Sequence, residues 1–265
     1  MTKKFLSLLL SLAFVTSSAV AFTGCGDSSS SSSSPTQSDT QTDTGSDNDS
    51  ELNDSDIFGT EESEGLAYTL SKDESHYMVA GMGECTDTKV VVPATYNNRP
   101  VLGIAEGNSQ AGAGAFEGHP TLESIVLPEG ATTIGAAAFA SCRKLVRISV
   151  PDSITMIEET AFKGCSALKY NEYENGKYLG NQTNPYAALA SAKSETITSV
   201  SVHEDTKLIM KNAFVKCTAL TSASFEVTEG WTIDGTAITA TDLASPATAA
   251  DYLKNTYSAR IWLRK

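Results

Sequence analysis

Five cysteines and three histidines are the side chains here best suited to ligate metal, form bridges or attack a substrate. Their spacing argues against most of that chemistry. Cys142 and Cys165 stand 23 residues apart, His119 holds the same column one period earlier, and Cys217 follows after a longer gap. Structural zinc sites use close pairs such as C-x-x-C, which these separations do not supply. If each period is one turn of a stack, equivalent side chains lie about 4.8 Å apart and point the same way. A disulfide brings its Cβ atoms to about 3.8 Å. The expected role is a buried free thiol acting as a small apolar filler; a bridge among the cysteines is the alternative. His76 falls in a polar turn, His119 in the cysteine column and His203 where other periods carry proline, so only His203 is expected at the surface. Glu158 and Glu159 are sequence neighbours, which an extended segment turns to opposite sides. No nucleophile elbow, metal-protease, phosphate-loop or dinucleotide motif stands in a suitable context. The chain is therefore expected to have no catalytic site, no metal and no cofactor.

The elements that position these residues recur with one period. Phe116, Phe139 and Phe162 are spaced by 23 residues, each preceded by alanine, and Ala213-Phe214 repeats the pair later. From Leu122 the chain runs Leu-Glu-Ser-Ile-Val-Leu-Pro, and from Leu145 it runs Leu-Val-Arg-Ile-Ser-Val-Pro. Alternation of Ile125 and Leu127 with Ser124 and Val126 is the signature of a strand buried on one face. Pro128 and Pro151 end the strand at equivalent places, since proline cannot donate to a ladder. Ile134 and Ile157 follow, then the phenylalanine. Val200, Val202, Ile209 and Phe214 restore the pattern after an interruption, and Leu220 to Phe225 begin another strand. Val90 to Pro93 with Val101 and Ile104 form an earlier, looser turn. A fixed period of this size predicts a solenoid whose turns bury their apolar faces only against neighbours. Phe116, Phe139, Phe162 and Phe214, with Cys142, Cys165 and Cys217, should form its interior ladder.

The sequence Leu-x-x-Ile-x-Leu-Pro, then Ile-Gly-x-x-Ala-Phe, then x-x-Cys-x-x-Leu resembles the BspA-like leucine-rich repeat family of bacterial surface proteins. Tyr77 to Cys85 leading to Val-Val-Val-Pro93 also looks like that family, as does Tyr178-Leu-Gly with Asn184-Pro185-Tyr186. The likeness spans about residues 66–225. It implies an α/β to mainly β solenoid of parallel strands with about 23 residues per turn, and a surface interaction or adhesion role toward a protein or glycan partner. The chain departs from a long array in its two clean consecutive repeats, its large insertion and the histidine at position 203.

Residues 1–24 have the form of an export signal: Lys3 and Lys4, an apolar run from Phe5 to Val15, then Phe22-Thr23-Gly24-Cys25. This looks like a lipoprotein signal, with Cys25 acylated and the mature protein held to the membrane by lipid; cleavage after Ala21 is the alternative. Residues 25–64 read as a disordered tether. Ser28 to Ser34 are seven consecutive serines, and residues 26–64 hold eleven Asp or Glu and no Lys or Arg. So few apolar groups cannot offset the entropy of ordering. A flexible coil of this length has ends about 35 Å apart on average, more when like charges repel. The formal charge of −13 resides mostly in that tether. No basic stripe suggests nucleic-acid binding.

The repeat domain is expected over residues 65–230 and a C-terminal cap over 231–265. Ala67 to Leu70 and Tyr77 to Ala80 flank a polar turn and should form a hairpin over the front end. Trp231 and Ile233, a short helix with Ser245 as N-cap and Pro246 at its first position, and Ile261 to Leu263 should close the back. The two tryptophans either cover the open core or stack a ligand. Phe162 and Phe214 are 52 residues apart, two periods and six more. This irregular turn carries Tyr170, Tyr173, Tyr178 and Tyr186, which either form a binding hot spot or pack over a widened turn. Strand alternation sends Ser124, Arg147, Tyr170, Ser199 and Ser222 outward in one column, and Val126, Ser149, Glu172, Ser201 and Ser224 in the next. Three functional classes fit: a lipid-anchored surface adhesion module, a receptor subunit for a glycan or peptide nutrient, and a structural spacer of the envelope.

Overall fold

The computed structural model describes residues 58–107 and 114–265. Cys25, the export segment and the tether up to residue 57 lie outside the described residues. Two sets of parallel strands run along a β-solenoid. On one side β3 (Lys89–Val91), β6 (Ser124–Val126) and β8 (Arg147–Ser149) pair in register, with Val90 opposite Ile125 and Ile125 opposite Ile148. On the other, β2 (Tyr77–Gly81), β5 (Arg99–Ile104), β7 (Thr133–Ile134) and β9 (Met156–Ile157) align Ile104, Ile134 and Ile157, with the short β4 (Thr95–Tyr96) antiparallel to β5. The strands are short because each turn must change direction within its period, and Pro93, Pro128 and Pro151 follow closely on β3, β6 and β8.

Between these sides the chain turns through the Ala-Phe segment. Phe116 stacks on Phe139 with centroids 5.3 Å apart and planes 4° from parallel, and Phe139 on Phe162 at 5.6 Å and 3°. Such pairs contribute about 0.5–1.5 kcal/mol beyond the area they bury. Each thiol reaches back to the preceding turn: Cys142 Sγ donates to the Phe116 carbonyl at 2.8 Å and Cys165 Sγ to the Phe139 carbonyl at 2.9 Å. Cys85, Cys142, Cys165 and Cys217 are free. Burial pushes the thiols of Cys142 and Cys217 up, and that of Cys165 to about 11. His119, first in that column, accepts from the Leu122 N–H through Nδ1 at 3.1 Å, and burial lowers its pKa. Gly135 has a steric cause: a Cβ there would stand 2.2 Å from the Glu106 nitrogen of the turn before.

Phe214 does not continue this row. It is buried in a second cluster with Tyr178, Val200, Val202, Phe225, Trp231 and Trp262, whereas Phe116 and Phe139 belong to the first. The insertion separates them, so the interior column of four divides as three and one. Cys217 Sγ accordingly points at the Ser194 carbonyl, 3.7 Å away, and not at a phenylalanine.

The insertion is a meander. β10 (Asn171–Tyr173) and β11 (Gly176–Leu179) form a hairpin through the left-handed residues Glu174 and Asn175, and β12 (Ala188–Ala192) runs antiparallel to β11. β12 then pairs in parallel with β14 (Leu208–Ile209), while β13 (Ser199–Val202) pairs in parallel with β15 (Ser222–Phe225). The solenoid thus resumes with both sides restored.

The front is closed by β1 (Ala67–Leu70), antiparallel to β2. The domain begins ahead of the expected boundary at 64, because Ser63 is already buried against it. Ser63 N–H donates to the Val91 carbonyl at 2.8 Å, its hydroxyl accepts from Val91 N–H at 3.1 Å, and it also donates to Asp87 at 2.6 Å. An edge strand needs such partners, and acidic, serine-rich composition concealed the one serine that supplies them. At the back come β16 (Trp231–Ile233), β17 (Thr236–Ala237), α1 (Ala240–Leu243), α2 (Pro246–Asp251) and β18 (Trp262–Arg264). β18 inserts between β14 and β16, antiparallel to both, covering the last solenoid edge. Phe225, Trp231 and Trp262 stack over the end of the second cluster, both indoles fully buried. Ser245 precedes α2, but its hydroxyl pairs with Thr248 Oγ1 at 2.9 Å instead of capping the backbone. Thr239 is the side-chain cap, accepting from Asp242 N–H at 3.1 Å.

Phe139 has ring neighbours on both sides and Phe162 on one, so truncation should cost unequally. Phe139→Ala is expected to destabilise by about 3–5 kcal/mol and Phe162→Ala by distinctly less, measured by urea denaturation of the chain. Equal losses would remove the ladder from its place in the core.

Candidate functional site

The inserted hairpin fills the strand position between β8 and β13. Ser149 bridges in parallel to Gly180 just after β11, and Ser201 N–H donates to the Glu174 carbonyl at 3.2 Å. Asn175 Nδ2 donates to the Ser199 carbonyl at 3.0 Å. The hairpin therefore leans along β13, and its aromatic side chains meet the ends of β13 and β15.

Tyr173 and Tyr186 have centroids 5.7 Å apart, and both approach the ring of His203, at 4.8 and 4.2 Å. Tyr173 hydroxyl donates to Glu226 Oε1, and Glu226 Oε2 accepts from Glu204 N–H at 2.9 Å. The carboxylate pushes Tyr173 up to about 12. In return the Tyr173 hydroxyl holds the Glu226 carboxyl below its ordinary 4.5 against the opposing effect of burial, and the Glu204 N–H adds a lesser lowering. His203 is half-buried between the two tyrosines and not free at the surface; its Nδ1 accepts from Asp205 N–H at 3.1 Å. Arg264 of β18 reaches over from the cap to the Glu204 carbonyl and, at 2.9 Å, the Thr206 carbonyl.

The four tyrosines of the irregular turn separate. Tyr178 is wholly buried and its hydroxyl donates to the Ser201 carbonyl at 3.1 Å, so no partner can touch it. Tyr170 packs against the first core cluster, with the Lys177 ammonium 6.0 Å from its ring centre. Tyr186 lies half-buried under His203, and Tyr173 forms the outer member. The expected outward columns are broken as well. Tyr170 and Glu172 leave the parallel register because the hairpin reverses the chain; Glu172 faces Lys177 across it and pairs with Lys193 at 2.6 Å. Ser124 is buried, set between the long side chains Lys89 and Arg147 in its row. Arg147 is half-buried. Past the hairpin the serine columns do align: Ser199 opposite Ser222 and Ser201 opposite Ser224, with Ser224 Oγ donating to Ser201 Oγ at 3.0 Å. Ser199 and Ser224 are exposed and Ser201 and Ser222 half-buried.

Two contributors had little sequence signal. Glu226 directly follows the Phe225 column, where only three-dimensional proximity to Tyr173 reveals it. Asn184 is buried and joins three turns, donating to Asp152 Oδ1 at 2.9 Å and to the Asp205 carbonyl at 3.0 Å while accepting from Tyr186 N–H at 3.0 Å. It fixes the position of Tyr186 and hence of the aromatic group. The surface presents hydroxyls, one carboxylate and ring edges, a set suited to hydrogen bonding and stacking. Among the described residues no group of acids, histidines and cysteines is placed to hold a metal ion, and no helix is long and apolar enough to cross a membrane.

A family model described as a BspA type leucine-rich repeat region of six copies matches residues 109–225 and 178–246, together just over half of the chain. Among solved structures, a leucine-rich repeat protein of T. pallidum is similar at 25% identity and TM-score 0.38, over 60% of this chain and 68% of that one. A leucine-rich repeat protein from Bacteroides ovatus is similar at 24% and 0.37, over 63% and 40%. A leucine-rich cell surface protein from Faecalibacterium prausnitzii is similar at 17% and 0.34, over 65% and 56%. No curated protein sequence matches the chain.

The Tyr173–Glu226 bond makes a pH prediction. A depressed carboxyl contributes stability that is present above its ordinary value of 4.5 and lost as pH falls through the folded value. Tyr173→Phe should raise the Glu226 pKa toward 4.5, followed by carboxyl-carbon NMR titration, and shift the acid loss of stability to higher pH. An unchanged Glu226 titration would show that the hydroxyl does not hold it.

Proposed function

The chain belongs to the BspA-type leucine-rich repeat family, and from that premise we propose that it is a bacterial cell-surface interaction protein that binds a protein partner through the hairpin and the adjoining serine strip. The observation that carries this reading is the break in the repeat at the hairpin. There Tyr173, Glu172 and Glu226 stand beside Ser199, Ser201, Ser222 and Ser224, an aromatic ring and two carboxylates next to a strip of hydroxyls. A tyrosine fixed by a carboxylate is a rigid amphipathic contact that loses little freedom on binding. The hydroxyl strip offers hydrogen bonds but no deep pocket, so affinity rests on the hairpin.

In this reading the acidic segment ahead of residue 58 spaces the domain from the membrane and Cys25 carries the lipid. The anchor and the adhesive role are separable in experiment. Cys25→Ser should move the chain from the membrane fraction to the medium without changing its binding. A screen of the chain against extracellular-matrix proteins, glycans and peptides should yield a protein ligand. Tyr173→Ala should then weaken it at least about fivefold, the effect of one hot-spot residue. A ligand indifferent to Tyr173, Ser199 and Ser222 together would move the contact surface elsewhere, and silence across the screen would leave a spacer.

A further inference from the structure

A concave site lies in the C-terminal cap, where Ile233 and Ile238 form its apolar floor. It is a cleft of about 380 Å³ between the β16–β17 hairpin and the helical segment. That volume lies within the range of small-ligand sites, about 300–1,000 Å³. Its walls include Tyr252, Tyr257, Asp242, Asp234, Arg260 and Thr239.

Backbone geometry explains why both tyrosines face it. Residues 252–256 form a π turn, and Tyr257 N–H donates to the Tyr252 carbonyl at 3.0 Å. On a regular α-helix, at 3.6 residues per turn, positions five apart point roughly 140° away from each other. A π turn closes with a bond between residues five apart and brings them back to one side. The rings consequently stand 4.9 Å apart at 72°, as two walls meeting at a corner. Tyr257 is held from behind by Trp262, edge-on at 6.3 Å. Single-turn widenings of this kind are frequent at functional sites.

The polar groups decide what could sit there. Arg260 is ion-paired with Asp234 at 2.9 Å, so the cation is already matched and a phosphate or sulfate has no unopposed charge to meet. Asp242 adds the one lining carboxylate that this pair does not balance, and Thr236, Thr239 and Thr256 complete the polar rim, the Thr256 hydroxyl donating to Asp251 at 2.7 Å and that of Thr239 accepting from Asp242 N–H. The set contains acceptors in the two carboxylates, donors in the guanidinium, and groups that do both. An apolar ligand would leave these groups desolvated and unpaired. A sugar ring has hydroxyls that donate and accept around its edge and C–H groups on its faces, which suit the electron-rich faces of tyrosine. We propose that this cleft is a binding site for a neutral saccharide of one or two rings, with Tyr252 and Tyr257 stacking the ring and Asp242 and Arg260 holding its hydroxyls. The site shares no residue with the hairpin surface and does not depend on that reading.

The test uses the whole chain with cellobiose, maltose, lactose and N,N′-diacetylchitobiose as probes, and arginine amide as a cationic control. Saturation-transfer NMR should show transfer to at least one disaccharide, and calorimetric titration should give its affinity. Asp242→Asn and Tyr252→Leu should each weaken that sugar at least tenfold at unchanged circular dichroism, while Tyr173→Ala leaves it unaltered. Asp242→Asn preserves size and the helix, so it decides the matter if Tyr252→Leu fails to fold. Absence of transfer from all four sugars, tighter binding of arginine amide, or sugar binding indifferent to Asp242→Asn would each overturn the assignment.

Discussion

Backbone hydrogen bonding from each turn to the next is the constraint on which this molecule depends. Short strands cannot satisfy their own N–H and C=O groups, so every turn finds its partners one period away: Phe139 N–H at Ala161, Ser141 N–H at Lys163, Gly135 N–H at Ile104. Buried backbone groups left without such partners cost more than most side-chain contacts return. The turns must therefore keep the same length and register, and identical side chains are carried into columns. Stacked phenylalanines and thiols that reach the preceding carbonyl follow from that register. They do not create it.

A solenoid held together in this way has two weak places, its ends and any turn of the wrong length. Both are met with antiparallel structure. The hairpin of β1 and β2 closes the front, β18 returns between β14 and β16 at the back, and the extra residues of the middle turn fold into β10 and β11. Antiparallel strands serve here because a tight two-residue turn can join them, whereas parallel neighbours require a full circuit of the solenoid. Asn184 and the pair Lys211–Glu158, at 3.1 Å, then tie the turns before and after the insertion. The break thereby costs the interior row its continuity, with Phe214 in a second cluster, but not the fold.

The same constraint sets how much could be read from the sequence. Columns are a consequence of register, so Ile125 above Ile148, Ile134 above Ile157 and Phe116 above Phe139 were legible from spacing alone. The front hairpin was legible from two short segments flanking a polar turn, and the closing strand from the need to cover the open end of the stack. What escaped was whatever depends on a departure from the period. Tyr170 and Glu172 fall in the expected column by counting, yet two left-handed residues, Glu174 and Asn175, reverse the chain and remove them from it. Tyr178 counts as an aromatic of the loop but is the centre of the second core. Ser63 looks like one more serine of an acidic run, and its role appears only once β3 is known to be an edge. Glu226 and His203 join Tyr173 from turns that are distant in sequence.

Where the period holds, each interior side chain is committed to its copy above and below, and the large residues left at the surface are mostly charged, such as Arg143, Lys144 and Lys163. Where it fails, side chains are released from the columns and must find other partners. Tyr173 then meets Glu226 across 53 residues of sequence, and Tyr252 meets Tyr257 through a π turn. Both arrangements place rings beside carboxylates at the boundary of a core cluster. Recognition by this molecule is thus expected at its irregularities, because only there is a large side chain both fixed by the scaffold and not consumed by the stack.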